Sequence, residues 1–266
     1  MKADLRHCRS LLFLPASNPR AIGKARGLAA DMVVLDLEDA VKAEDKSAAR
    51  AAAVEAAGEG FPGLCAIRIN SLDPWRGPDL EAVAASRADY VVVPMTPGPE
   101  PVREAAEATG RPVLAMIETA RGVLAAAAIA PATAGLIAGT NDLAADLGLR
   151  PGGDRAALAT ALQTILLAAR AAGVAAFDGV YNRLDDPEGF AAQCAEGRSF
   201  GFDGKSLIHP GQIETANRLF GPSGEEVEAA RRLIAAATGG AERFEGEMIE
   251  RMHVEQARRV LAKARA

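Results

Sequence analysis

Short apolar runs alternate with amphipathic stretches along most of the chain, and this alternation restricts the folds that it can adopt. The apolar runs have the length of buried strands, and helical patterns such as residues 47–57 and 154–172 lie between them. Strands that alternate with helices form a parallel sheet. We predict eight strands, at residues 11–14, 32–36, 65–69, 90–93, 113–117, 136–139, 174–177 and 204–208.

The number and spacing of these units favour an α/β fold of the closed (β/α)₈ TIM-barrel type over an open doubly wound sheet. We assign residues 1–221 to the barrel and 222–266 to a C-terminal helical extension, because two further helical patterns follow the last unit. The extension could cover the barrel bottom, exchange between subunits or close over the mouth. Active sites of such barrels lie at the C-terminal ends of the strands, so polar residues there are the candidates for function.

Two successive predicted strands lead directly into acidic residues. Glu118 follows the apolar run 113–117, and Asp142 follows the run 136–139 after a short polar link. Because neighbouring parallel strands end on the same face of a sheet, we expect the two carboxylates to converge. Two hard oxygen ligands that leave room for water and substrate suit Mg²⁺, or Mn²⁺ in its place, better than zinc.

An arginine and a group of acids follow the second and third strands. Asp36, Glu38 and Asp39 would be costly beside a barrel mouth unless they meet a cation or hydrogen-bond donors. Arg68 alternates with apolar residues, so its guanidinium needs an acidic partner. Its two-pronged fork suits a substrate carboxylate, and a structural ion pair with Glu38 or Asp39 is the alternative. We expect a site role for Glu38 and Asp39, and leave Asp36 open between a site role and a helix cap.

The first predicted strand leads into a loop that contains Pro15, Asn18 and Arg20. A small polar loop at a helix start can hold a phosphate or another anion, although the same residues also fit a plain helix cap. On the last strand, Lys205 would need an acidic partner, either Asp178 or Asp203. We expect His209 to be a capped, structural imidazole and not a catalytic one.

The amino-acid composition limits the classes of protein to which the chain can belong. Apolar residues make up 49% of the chain, which indicates a globular protein. A net charge of -5 and scattered basic residues argue against a nucleic-acid partner, and no apolar run reaches the length of a membrane span. The three cysteines show no metal-ligand spacing and fit a reducing cytoplasm. We expect Cys65 and Cys194 in the core, Cys8 on the surface, and residues 42–50 to form a solvated, charged segment.

Six segments together resemble the HpcH/HpaI aldolase/citrate lyase family, and most closely its citrate lyase beta-subunit-like CoA-ester lyases. They occur in order through nearly the whole chain: Arg9-Ser-Leu-Leu-Phe-Leu-Pro15, Val34-Leu-Asp-Leu-Glu-Asp-Ala-Val41, Ile67-Arg-Ile-Asn70, Met116-Ile-Glu-Thr-Ala-Arg-Gly-Val123, Gly139-Thr-Asn-Asp-Leu-Ala144 and Gly201-Phe-Asp-Gly-Lys-Ser-Leu-Ile-His-Pro-Gly-Gln-Ile213.

The resemblance implies a (β/α)₈ barrel that forms a homo-oligomer, a trimer or hexamer, with Mg²⁺ in the mouth. By position, Glu118 and Asp142 match the metal ligands of the family. Arg68 matches the arginine that holds the keto-acid product, while Glu38 and Asp39 match an acidic pair near the water shell of the metal.

The chain departs from the family pattern at two positions. The second metal motif commonly reads Gly-Ala-Glu-Asp-Leu, whereas Asn141 precedes Asp142 here, which removes one charge. The family's tail often reads Gly-Lys-Met-Ile-Asp, and its Asp reaches a neighbouring subunit's site as an acid/base. This chain reads Gly246-Glu-Met-Ile-Glu250, so Glu250 takes that position with a side chain that is one methylene longer.

The resemblance implies Mg²⁺-dependent cleavage of the C–C bond of a 3-hydroxyacyl-CoA thioester that carries a carboxylate on C3. The products would be a keto acid and acetyl-CoA. Citramalyl-CoA, malyl-CoA and citryl-CoA all fit, because a pocket discriminates one methylene by only ~1–3 kcal/mol. Three alternatives are a CoA-independent, metal-dependent pyruvate aldolase, a beta subunit of a carrier-protein-dependent citrate lyase complex, and a non-catalytic interaction module.

Overall fold

The computed structural model describes residues 4–150, 152, 154–238 and 240–264. Within them, eight parallel strands close into a barrel in the order of the chain, as predicted. Each strand end lies within one residue of its predicted position. The strands are β1 (Ser10–Pro15), β2 (Met32–Asp36), β3 (Leu64–Arg68), β4 (Tyr90–Val93), β5 (Val113–Ile117), β6 (Gly135–Ala138), β7 (Ala175–Asp178) and β8 (Gly204–Leu207).

Helices follow every barrel strand and surround the barrel. The long predicted helix 154–172 begins as a 3₁₀ turn, Arg155–Leu158, which Asp154 caps, before the α-helix continues it. None of the helices in the described part of the chain has the length and apolarity needed to cross a bilayer. The helices are α1 (Pro19–Ala25), α2 (Lys46–Glu59), α3 (Arg76–Ala85), α4 (Glu100–Thr109), α5 (Ala120–Ile129), α6 (Thr140–Asp146), α7 (Ala159–Ala172), α8 (Pro187–Phe200), α9 (Ile213–Phe220), α10 (Gly224–Ala236) and α11 (Arg251–Lys263).

Alternate residues along each strand pack into two separate cores. On β5, Leu114 and Met116 belong to the core inside the barrel, whereas Val113, Ala115 and Ile117 pack outward against the helices. The alternation arises because successive side chains of a strand point to opposite faces. The same parity decides which polar side chains enter the barrel mouth.

The 3₁₀ turn Leu5–His7 precedes β1 and packs Leu5 and Cys8 onto the core inside the barrel. Cys8 is therefore buried, and our expectation of a surface thiol was wrong. The sequence pattern around Cys8 is polar, and only the packing of this turn against the N-terminal end of the barrel hides the side chain. Cys65 and Cys194 are buried free thiols, as predicted.

Two predictions about charged residues have different outcomes. Lys205 pairs with Asp178 on the outer face of the barrel, with 2.8 Å between Nζ and Oδ2, which confirms the first of its two suggested partners. The expectation that residues 42–50 are uniformly solvated was wrong. Lys46 is buried, and Arg50 pairs with the buried Asp79 at 2.7 Å. His209 accepts a hydrogen bond from the Gly211 N–H and caps the turn that follows it, so it supplies a cap where we expected a capped imidazole.

The C-terminal extension consists of α10, α11 and a hairpin between them. The hairpin strands are β9 (Glu242–Phe244) and β10 (Glu247–Ile249), and the turn residues Glu245 and Gly246 both have positive φ, of 47° and 95°. Positive φ at both positions is typical of a tight type I′ hairpin turn. The sequence pattern did not reveal these strands because they are short and largely exposed.

The end of α11 lies at the bottom of the barrel. The Lys263 ammonium donates to the backbone carbonyl of Asp203, just before β8, at a distance of 2.7 Å. Because strands begin at the bottom, the extension covers that end of its own barrel. A cavity lies at the opposite, C-terminal face, and no residue of α10 or α11 in the described part of the chain lines it.

Candidate active site

Strand parity brings an arginine and two acids into the barrel mouth. Asp36 and Arg68 end β2 and β3 in phase with residues of the inner core, and the strand register places them directly beside each other. Glu118 follows β5 in phase with the inner residues Leu114 and Met116. All three side chains are buried, which is costly for charged groups unless they are paired.

Arg68 makes its two-pronged contact with Asp36. Its Nε and Nη2 each donate to one carboxylate oxygen of Asp36 at 2.6 Å. Its remaining nitrogen, Nη1, lies 3.1 Å from Glu38 and 3.5 Å from Asp39. The fork that suits a substrate carboxylate is thus occupied by Asp36, which also accepts the N–H groups of Glu38 and Ala40.

The surroundings of Arg68 keep it charged. Burial opposes the charged form, yet the hydrogen bonds and negative charges of its acidic partners raise the pKa of Arg68 above its ordinary value. The ring of Phe13 lies 5.5 Å from the guanidinium carbon and stacks on its face. Nη1 is therefore a permanent positive point that a ligand can reach from the mouth.

Glu38 and Asp39 differ in exposure although they are adjacent. The side chain of Glu38 is 12% exposed and that of Asp39 is 70% exposed. Burial raises the pKa of Glu38 to about 8, with Arg68 opposing the shift and neighbouring carboxylates adding to it. The predicted acidic pair thus flanks Arg68, one member inside and the other at the rim.

Glu118 lies against the backbone of the neighbouring strand end. A Cβ at Gly139 would overlap the Glu118 side chain, so glycine makes room for it. The N–H of Met95, a residue with a positive φ of 47°, donates to Glu118 Oε2 at 2.6 Å. Burial raises the pKa of Glu118 to about 7, the Met95 N–H and Arg68 oppose this, and Asp142 adds to it.

Glu118 and the exposed Asp142 line one cavity of about 370 Å³. Asp36, Asp39 and Arg68 line the same cavity, so acids outnumber the single arginine among its lining residues. Within the described residues, no three His, Cys, Asp or Glu side chains form a ready-made metal cage. The excess of acids and the carboxylates of Glu118 and Asp142 fit Mg²⁺, which binds through one or two carboxylates and keeps several waters.

The predicted anion loop borders a second groove beside the mouth. Pro15 lines both cavities, whereas Asn18 and Arg20 line only the groove, which measures about 420 Å³. The Asn18 carboxamide oxygen accepts the Ala21 N–H and caps α1, with Pro19 at the first helical position. Asn18 thus acts as a helix cap here, and Arg20 and Lys24 contribute positive charge to the groove.

Glu250 lies outside the mouth of its own chain. It caps α11 and is exposed, and its backbone N–H donates to His253 Nδ1 at 2.9 Å. It borders a surface groove of the extension and does not line the cavity of Glu118 and Asp142.

Comparison with known proteins identifies the family. The sequence profile described as HpcH/HpaI aldolase/citrate lyase matches residues 9–210. The chain belongs to this family. It is 45% identical to a (3S)-malyl-CoA thioesterase of Cereibacter sphaeroides, over 97% of this chain and 95% of the relative. It is 35% identical to the citrate lyase subunit beta of Leuconostoc mesenteroides, over 97% of this chain and 93% of the relative.

Solved structures of the family show the same architecture. The protein CitE of Mycobacterium tuberculosis, in complex with magnesium, acetoacetate and coenzyme A, superposes with a TM-score of 0.85 at 37% identity, covering 98% of this chain and 100% of that chain. A citrate lyase beta subunit from the same organism, complexed with oxaloacetate and magnesium, gives a TM-score of 0.75 at 36% identity, covering 83% and 100%.

Some site residues of this family member were missed by sequence reasoning. Ser206 lines the mouth from β8, and its parity within the predicted strand could have identified it. Asn141 exchanges hydrogen bonds with Asn182, at 3.3 and 2.7 Å, which links the start of α6 to the loop after β7. No sequence signal connects these two residues, because their contact depends on how neighbouring segments meet.

Proposed function

We propose that this enzyme cleaves the C–C bond of a 3-hydroxyacyl-CoA ester that carries a carboxylate on C3, in a Mg²⁺-dependent reaction that yields a keto acid and acetyl-CoA. The observation that carries the proposal is the mouth itself, where Glu118 and Asp142 line one cavity with Arg68. Relatives crystallised with magnesium, oxaloacetate, acetoacetate and coenzyme A support the substrate class.

Glu118 and Asp142 would hold Mg²⁺, which when bound supplies a Lewis acid for the carboxylate and hydroxyl oxygens of the substrate. Arg68 offers Nη1 to the same carboxylate, while its other two donors remain on Asp36. Glu38 and Asp39 hold Nη1 when no substrate is present. The positive charge of Arg68 then stabilises the negative charge that develops as the keto acid forms.

The reaction requires two proton transfers. The C3 hydroxyl loses its proton, the C2–C3 bond breaks, and its electron pair forms the enolate of acetyl-CoA. A proton added to that carbon completes the product. We assign the proton exchange at this carbon to Glu250 of a neighbouring subunit, because a side chain on the extension can reach a mouth only between chains.

This assignment requires a homo-oligomer, and we propose a trimer or hexamer. Met248 and Met252 flank Glu250 and are both exposed, which gives this part of the extension an apolar surface suited to a partner subunit. We also propose that the enzyme is cytoplasmic, because Cys8, Cys65 and Cys194 are all free thiols.

Hydrolysis of the thioester is the second candidate. Four relatives that are 44% to 45% identical to this chain are named (3S)-malyl-CoA thioesterases. Such an enzyme acts on the same class of substrate but breaks the C–S bond, so that it releases a hydroxy diacid and free CoA. Hydrolysis consumes a water and C–C cleavage does not, so the two reactions are told apart by their products.

One experiment separates the candidates. Citramalyl-CoA, malyl-CoA and citryl-CoA are each incubated with the enzyme and Mg²⁺, while keto acid is read as a hydrazone and free CoA with a thiol reagent. We expect keto acid and acetyl-CoA in equal amounts from at least one ester. Release of CoA without keto acid would assign the enzyme as a thioesterase, and no turnover of any ester would refute both candidates.

A further inference from the structure

Lys46, the first residue of α2, is a buried lysine outside the mouth, and its side-chain charge has no carboxylate partner within the described residues. Only 7% of the residue is exposed. Its ammonium donates to the backbone carbonyls of Leu37 and Glu38, at 2.9 and 3.0 Å, and to Asn70 Oδ1 at 2.5 Å. Three donors thus meet three neutral oxygens. Burying a charge is unfavourable unless its hydrogen bonds are satisfied, and these three contacts satisfy the Lys46 ammonium.

Further contacts around Lys46 and its partner Asn70 fix the position of the lysine side chain. Asn70 donates from its side-chain nitrogen to Leu37 O at 2.9 Å and to Asp79 at 2.6 Å. The buried Asp79 also accepts from Arg50 at 2.7 Å. The ring of Trp75 lies 5.2 Å from the Lys46 ammonium, within the range of a cation–π contact. The ammonium therefore has a defined position relative to the backbone after β2.

Hydrogen bonds hold the backbone after β2 from two sides. On the inner side, the Asp36 carboxylate accepts the N–H groups of Glu38 and Ala40, at 2.9 and 3.2 Å. On the other side, Lys46 binds the carbonyls of Leu37 and Glu38. The segment between these contacts carries the side chains of Glu38 and Asp39 toward Arg68.

We propose that Lys46 is a positioning residue for the proposed reaction: it holds the carbonyls of Leu37 and Glu38 so that the carboxylates of Glu38 and Asp39 face Arg68 in the mouth. Lys46 does not line the mouth cavity and acts only through this segment. Displacement of a catalytic group by about 1 Å can cost on the order of 10²-fold in rate, so loss of these hydrogen bonds should affect turnover. The role in catalysis rests on the proposed function, whereas the restraint on the segment does not.

The test uses Lys46→Met, which keeps an unbranched side chain and removes its donors. The matched control is Lys42→Met, which replaces an exposed lysine shortly before α2. We expect Lys46→Met to lower kcat for the best ester by about tenfold or more, and Lys42→Met to leave it unchanged. Each variant is also made in a Glu38→Gln background. If Lys46 acts through this segment, its replacement there should cost clearly less than in the wild type.

Amide hydrogen exchange supplies a readout that needs no activity. We expect residues 37–41 to exchange faster in Lys46→Met than in Lys42→Met, because the segment loses its restraint on one side. Equal activity losses in both backgrounds, or unchanged exchange, would overturn the proposal. If Lys46→Met fails to fold, Lys46→Arg is taken through the same comparisons, since a planar guanidinium cannot place its donors on all three oxygens. A wild type without activity on any ester refutes the proposed function, and the exchange comparison still decides whether Lys46 restrains the segment.

Discussion

Arg68 and Asp36 form a buried, two-pronged ion pair in which Nε and Nη2 of the arginine each donate to a separate carboxylate oxygen at 2.6 Å. The pair lies side by side at the ends of adjacent strands. It fixes the plane of the guanidinium and leaves Nη1 turned toward Glu38 and Asp39. The chemistry of the mouth depends on this orientation, because only Nη1 is left for a ligand.

Replacement of Arg68 by lysine should therefore be far more harmful than a conservative change. A lysine ammonium is a point charge and cannot bind Asp36 with two prongs while it also presents a donor to the mouth. We expect kcat/KM to fall by about 10²-fold or more with the fold intact, because a charge-assisted contact in the transition state is lost.

Arg9 offers a matched control for this substitution. It makes the same two-pronged contact with Asp31, at 2.8 and 2.9 Å, but at the opposite end of the barrel. Steady-state kinetics of Arg9→Lys should match the wild type. An Arg68→Lys enzyme with wild-type kcat/KM would show that Arg68 is only a structural partner of the acids.

Glu38 should make the stability of the metal-free enzyme depend on pH. Its pKa is raised from 4.5 to about 8 in the folded protein, so the folded state binds a proton that the unfolded state has already released. Stability from this group is present below pH 4.5 and is lost as pH rises toward 8. In excess chelator, Tm should fall across this range, and Glu38→Gln should reduce the fall.

Glu44→Gln is the control for the pH experiment, because Glu44 is an exposed acid that does not line the mouth. Its Tm should follow the wild-type curve. If the Tm of Glu38→Gln showed the same pH dependence as that of the wild type, Glu38 would be ionised throughout this range. It would then not contribute to the fall in Tm.

Glu250 provides a test of shared active sites. Glu250→Ala and Glu118→Gln should each be inactive alone, because each lacks one part of the site. Co-expressed subunits should regain partial activity, since a mixed oligomer can combine an intact mouth with an intact Glu250. As a control, Glu247→Ala replaces an exposed acid of the hairpin that precedes Glu250, and this variant should stay active. No recovery despite proven co-assembly would exclude a shared site.

The sequence predicted most of the fold because apolar periodicity and strand length report directly on burial. It also placed Arg68 and Glu118 at the ends of predicted strands, which form the mouth of such a barrel. The partnership of Arg68 with Asp36 depends on the register of β2 against β3, which no local pattern encodes. We had suggested Glu38 or Asp39 as the structural partner, and those two prove to be secondary contacts.

Lys46 and Cys8 show a second limit of sequence reasoning. A lysine within a charged stretch is normally solvated, and only the packing of Trp75 and Asn70 above Lys46 buries it. Cys8 follows a polar N-terminal segment, yet the turn before it packs onto the core inside the barrel. In both cases the environment comes from residues distant in the chain, so local composition indicates the wrong exposure.

The most direct test of the account measures keto-acid release from malyl-CoA, citramalyl-CoA and citryl-CoA with Mg²⁺ by wild type, Glu118→Gln and Asp142→Asn. Asp146→Asn is the control, because Asp146 lies on the same helix as Asp142 but caps α5 through the Ala120 N–H. We predict turnover by wild type and Asp146→Asn, and none by the other two variants or in excess chelator, although all remain folded by circular dichroism. Full turnover in chelator, or in either Glu118→Gln or Asp142→Asn, would contradict the account.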